Sequence, residues 1–129
     1  MAGASPNAAD LSYRLDFSRL PLSLETVRYF HGHYLRDERD QADWRASPLR
    51  AATFRGLAPA FILTAGYDPL RDEGAEYARI LEENDVPTIF VHMSDQMHGF
   101  LTMGRIIRAA DMGLELAATA LRRAFVRNS

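Results

Sequence analysis

Ala60-Phe61-Ile62-Leu63-Thr64-Ala65-Gly66-Tyr67-Asp68-Pro69-Leu70, then Thr88-Ile89-Phe90-Val91-His92-Met93, then Met97-His98-Gly99-Phe100 are the segments that decide how this chain folds. The first is a nearly continuous apolar run opened by Pro59, the pattern of a parallel strand covered on both faces, and it stops at Gly66. From Leu70 to about Asn84 the period turns helical. Gly74, Tyr77, Ala78 and Leu81 fall on one face, Asp72 and Glu73 occupy the first turn, and Asn84 is placed to end the helix. Val86-Pro87 opens the second strand, Thr88 to Met93; a proline cannot donate within a central ladder, so this strand is expected at a sheet edge. Strand, helix and strand make one right-handed βαβ unit.

Outward from that unit the pattern stays helical. Towards the C-terminus, about Gly104 to Phe125 carries Ile107, Ala110, Leu114, Ala117, Leu121 and Phe125 as one apolar face, with Arg122, Arg123 and Arg127 at the negative end of the helix. Towards the N-terminus, Ser23 is a helix cap, and Val27, Phe30 and Tyr34 recur at helical spacing as far as about Leu35. Gly32 costs that helix about 1 kcal/mol relative to Ala, which implies close packing or a bend. Arg36 to Gln41 reads as an exposed polar turn, Trp44 as a packing anchor, and Pro48 biases Ser47 towards extended backbone. Residues 1–22, with Pro6, Asn7, Asp10 and Pro21, read as irregular chain. The expected organisation is therefore one partial domain over 1–129: 1–22 irregular, and 23–129 a helix, the βαβ unit and a C-terminal helix.

Composition narrows the function. The 129 residues are 47% apolar and 25% charged, an ordinary globular mixture, and 15 Lys+Arg against 17 Asp+Glu leave a net charge of -2 with no basic cluster to bind phosphates. Nucleic acid is not an expected partner. The absence of Cys excludes a disulfide framework and a thiolate metal site. No run approaches the roughly 18–20 apolar residues that span a bilayer, and Met1 to Pro6 has neither the basic start nor the apolar segment of a signal peptide, so a cytoplasmic location is expected.

Asp68 and His98 each follow the carboxyl end of a strand, where functional groups of parallel α/β sheets collect. A carboxylate there can accept the Nδ1 proton of an imidazole, fix its tautomer and leave Nε2 to take a proton from a nucleophile. Asp95, three residues before His98, is a competing carboxylate whose simpler role is a loop cap. His31, His33, His92 and His98 with Asp95 raise metal binding as an alternative. However, His31 and His33 are two apart and a helix cannot aim both at one ion. No cofactor or metal is expected.

Ser47-Pro48-Leu49, Thr64-Ala65-Gly66-Tyr67-Asp68-Pro69-Leu70-Arg71-Asp72-Glu73-Gly74 and His98-Gly99-Phe100 closely resemble the C-terminal third of the hormone-sensitive-lipase family of carboxylesterases. The resemblance spans about Leu22 to Phe125. It implies the C-terminal portion of an α/β-hydrolase: two parallel strands in one βαβ unit, flanking helices and an irregular N-terminal segment. It also implies carboxylic ester hydrolysis, with Asp68 as triad acid and His98 as triad base, and Asp72 and Glu73 as structural residues of the helix start. Residues near Val27 to Tyr34, and Phe100, resemble segments that border the acyl or alcohol pocket.

The family's HGGG-type oxyanion loop and G-x-S-x-G nucleophile elbow do not occur in this sequence. The nearest string, Gly3-Ala4-Ser5-Pro6-Asn7, lacks the second glycine, and Pro6 removes the backbone N–H that would serve the oxyanion. Oxyanion donors are worth about 2.7–4 kcal/mol each, so acid and base alone are expected to hydrolyse esters negligibly. The expected function is that of an esterase fragment acting on small esters only when the missing N-terminal part is supplied. The alternative is a non-catalytic dimerisation or complementation module, with a homodimer through the edge strand Thr88 to Met93.

Overall fold

The computed structural model describes residue 16 and residues 18–127, so most of the segment read as irregular, Ser5 included, lies outside the described residues. Two strands, β1 (Ala60–Tyr67) and β2 (Thr88–Met97), pair in parallel as a two-stranded sheet. Helix α3 (Arg71–Glu83) connects them, giving the expected β-α-β order. Its start has no side-chain cap of its own, and its end is closed by Asn84, whose Nδ2 donates to the Ile80 carbonyl at 2.8 Å. The Pro87 carbonyl accepts from the Ala60 N–H at 2.9 Å, so the ladder begins at the proline without requiring an N–H from it.

The period-2 alternation of β1 sends its side chains into two different layers. Ala60 and Ile62 pack with Phe54, Leu81 and Val86 on the α3 side; Leu63 and Ala65 pack with Phe100, Ile107 and Ala110 on the other. Helix α4 (Arg108–Arg127) covers that second side, preceded by a 3-10 turn at Phe100–Met103. It meets the sheet through small residues. Ala110 is fully buried, and a Cβ on Gly113 would lie 2.7 Å from Leu101 Cδ2 and 3.3 Å from Leu63 Cδ1. Larger side chains there would hold the helix away from β1.

This docking narrows the expected apolar face of the C-terminal segment: Ile107 and Ala110 pack as expected, but the bulkier residues after them do not. Leu114, Leu121 and Phe125 are 51%, 57% and 69% exposed, because the contact follows Ala110 and Gly113 rather than the bulkiest residues. The N-terminal helix, α1 (Leu24–Tyr34), begins as expected, with Ser23 Oγ accepting from the Thr26 N–H at 3.1 Å. Of its apolar stripe only Val27 is buried; Phe30 and Tyr34 are exposed, and a Cβ on Gly32 would meet open space, so close packing does not explain that glycine. Arg36 to Gln41 is more ordered than a turn: Asp37 caps a short helix, α2 (Glu38–Ala42), through the N–H groups of Arg39 and Asp40. Trp44 is 60% exposed and so is not the buried anchor expected, whereas Ser47 is fully buried and donates to the Gln41 carbonyl at 2.7 Å. No helix among the described residues is long and apolar enough to cross a membrane.

Candidate active site

The site lies where both strands end. β1 runs one residue past Gly66 to Tyr67, and Asp68-Pro69-Leu70 turns the chain into α3. Each Asp68 oxygen has its own partner. Oδ1 accepts from the Leu70 N–H at 2.9 Å, an Asx-type turn that fixes the carboxylate against its own backbone. Oδ2 lies 2.8 Å from His98 Nδ1. A carboxylate only accepts, so this contact places the proton on Nδ1 and leaves Nε2 as the bare nitrogen of the neutral ring. The Asp68 side chain is 13% exposed and that of His98 39%, so the acid is shielded while the imidazole is reachable.

His98 is held from both sides. Its N–H donates to the Tyr67 carbonyl at 3.2 Å, which ties the residue to the end of β1. After it, Gly99 takes φ 78°, a left-handed conformation that a Cβ would disfavour, and the chain enters the 3-10 turn that buries Phe100 against Ala65 and Ala110. Phe100 is 2% exposed, so here it is a core residue pinning the loop.

The strands do not keep a single register up to this point. Thr64 faces His92, 28 residues on, and their side chains meet with Oγ1 3.0 Å from Nδ1. Asp68 instead meets His98, 30 residues on. The change occurs at one position: Ala65 faces Met93 and Tyr67 faces Met97, so Gly66 alone lies opposite Ser94, Asp95 and Gln96. β2 is therefore longer than the expected Thr88 to Met93, because the polar residues that read as loop continue the strand through a bulge. Asp95 sits in that bulge, exposed, and the carboxylate at His98 Nδ1 is Asp68.

The other candidates lie apart from this pair. His33 Nδ1 is 2.9 Å from the Tyr29 carbonyl on α1, and His92 is engaged with Thr64. No group of three His, Cys, Asp or Glu side chains with metal-binding geometry occurs among the described residues. Asp72 pairs with Arg71 at 2.7 Å, and Glu73 is buried in the first turn of α3. Arg71 Nη1 also reaches the Gly66 carbonyl at 3.4 Å. Sequence reading missed Gly66 and the Ser94–Gln96 bulge; its only visible sign was a glycine ending an apolar run just before the acid.

A carboxylate–imidazole contact in the loops after two adjacent parallel strands, flanked by helices on both faces, is the arrangement the resemblance implies, and residues 5–102 match the family described as alpha/beta hydrolase fold. The chain belongs to that family. Its relatives are esterases of the hormone-sensitive-lipase type. It is 40% identical to a carboxylic ester hydrolase, LipN, of Mycobacterium tuberculosis over 102 residues, 78% of this chain and 27% of the relative. It is 38% identical to an ethyl acetate hydrolase of Pseudomonas putida over 100 residues, 78% of this chain and 31% of that one. Among solved structures it is similar to the ester hydrolase EH1AB1 from the metagenome of Lake Arreo, with TM-score 0.86 and 35% identity over 95% of this chain and 39% of that chain. The chain thus spans about three-tenths of the length of these curated relatives.

Proposed function

We propose that this chain supplies the acid and base of a serine carboxylesterase. In this reading Asp68 orients the His98 ring and stabilises its imidazolium. His98 Nε2 takes the proton from a serine hydroxyl as it attacks an ester carbonyl, and returns it to the departing alcohol. The serine and the N–H groups that stabilise the oxyanion come from hydrolase residues outside the 129, since neither motif occurs in this sequence. The observation that carries the reading is the 2.8 Å contact between Asp68 Oδ2 and His98 Nδ1 at the carboxyl ends of paired parallel strands. Esters as the substrate class are supported by the relatives named as ester hydrolases.

The test joins the chain to the nucleophile-bearing portion of a related esterase and measures hydrolysis of a short p-nitrophenyl ester. The joined protein is expected to turn over and to lose activity in both Asp68→Asn and His98→Ala, while the 129-residue chain alone is expected to show none. Near-parental activity in either variant of the joined protein would remove that residue from its role. Turnover by the chain alone, abolished by both substitutions, would overturn its dependence on an outside nucleophile.

A further inference from the structure

Gly66 is the point at which the ladder changes register, and a side chain there has no room. A Cβ built on it would lie 1.9 Å from the Ser94 carbonyl oxygen, 2.6 Å from its carbon and 2.9 Å from Ser94 Cα. All three are backbone atoms, so rotating a side chain cannot relieve the contact. The segment that must move is the bulge itself, Ser94–Gln96, and His98 follows it by two residues. Gly74 makes a useful contrast. A Cβ there would lie 2.6 Å from Thr64 Cγ2, also inside contact distance, but that neighbour is a side chain rather than backbone, and Thr64 pairs with His92 before the register changes.

We propose that Gly66 is a positioning residue for the Asp68–His98 pair: by lacking a side chain it lets the Ser94 backbone close against β1, and the seated bulge delivers His98 to Asp68. The proposal rests on the acid–base reading above for its functional meaning, but its structural content is tested without any hydrolysis. Beyond the bulge, the His98 N–H to Tyr67 carbonyl bond and the Nδ1 to Asp68 bond both depend on where β2 rejoins the ladder at Met97. Displacing Ser94 from Gly66 moves that rejoining point and opens both.

The experiment is long-range 1H–15N NMR of the imidazoles in the 129-residue chain at alkaline pH, where the nitrogen shifts report which ring nitrogen carries the proton. The expected result is Nδ1–H as the dominant His98 tautomer in the parent. In Gly66→Ala it should become the minority form, as in Asp68→Asn, and in Gly74→Ala it should stay dominant. Folded Gly66→Ala with the parental tautomer would overturn the proposal, as would an equal change in Gly74→Ala. If Gly66→Ala does not fold, the same measurement is made with Ser94→Gly added, which lets the 94 carbonyl turn aside. A folded double variant with the altered tautomer supports the proposal. A parental tautomer, or a chain still unfolded, makes Gly66 a folding requirement and overturns the positioning role. An unsubstituted joined enzyme that shows the Nδ1–H tautomer but no ester hydrolysis would count against the esterase reading alone.

Discussion

Asp68 and Asp95 are the same side chain in different surroundings, and the backbone decides between them. Asp68 is gripped on Oδ1 by the Leu70 N–H and faces His98 through Oδ2; Asp95 is exposed in the bulge. In a joined, active enzyme Asp68→Asn is expected to lower kcat by ~10⁴-fold, because the amide would favour the wrong imidazole tautomer. Asp95→Asn is expected to stay within a few-fold of the parent, and steady-state kinetics on a p-nitrophenyl ester would separate them. A large loss in Asp95→Asn with a small one in Asp68→Asn would reverse the assignment. The pair itself was legible in the sequence, since an acid and an imidazole each followed a recognisable strand. What decides between the carboxylates was not, because it depends on one residue opposing three, and a period-2 pattern carries no record of such an irregularity.

At the scale of elements, helices and strands were readable where local chemistry marks them: Ser23 capping α1, Asn84 ending α3, Pro87 opening β2. The faces they bury were readable only when the bulky residues are the ones that pack. On α3 they are: Leu81 is 1% exposed in the cluster with Phe54 and Val86, and Leu81→Ala should cost about 2–5 kcal/mol in denaturant unfolding of the joined enzyme. A cost below about 1 kcal/mol would show that this cluster contributes little to holding α3 on the sheet. At α4 the period picks out Ile107 and Ala110, which pack, but Gly113 shares the contact while the bulkier Leu114, Leu121 and Phe125 on the same stripe stay exposed. The segment after α2 shows a different kind of local signal. The hydrogen bond from the Arg45 side chain holds the Asp43 carboxyl at about 2, below its ordinary 3.8. A depressed carboxyl contributes stability above its unfolded value and loses it as pH falls through the folded one. The Asp43–Arg45 turn should therefore persist at pH 4 and loosen towards pH 2. An NMR titration of the Asp43 carboxyl checks this, and its midpoint should move back towards the ordinary value in Arg45→Ala.

Across the whole molecule, the apolar surface left open is matched to what a two-stranded sheet can cover. A sheet this small needs packing on both faces to be stable, and α3 and α4 provide it over part of each strand. Ile89 and Phe90 on β2 and Leu114, Leu121 and Phe125 on α4 remain exposed. An open groove of about 820 Å³ lies between the strand starts, around Phe61 and Ile89, and the last turns of α4, around Leu121 and Val126. Isolated apolar residues on a surface are ordinary, but a helix face and an adjoining groove together form the kind of patch that binds something. The chain also spans 39% of the solved ester hydrolase it superposes on at TM-score 0.86, and a joined nucleophile-bearing portion that packed on these surfaces would cover them. The 129-residue chain alone should therefore bind a hydrophobic dye and associate as its concentration rises, and joining it to a nucleophile-bearing portion should suppress both. Leu121→Glu with Phe125→Glu gives the sharper form of the prediction. Because both side chains are more than half exposed, the pair of substitutions should reduce dye binding by the isolated chain without unfolding it. If the rest of the fold packs on that face, the same substitutions should destabilise the joined enzyme, since two carboxylates would then be buried without partners. Circular dichroism and dye fluorescence on the isolated chain, with thermal unfolding of the joined protein, read the two effects separately. An isolated chain that is monomeric and binds no dye would show that its exposed apolar residues do not act as a surface at all.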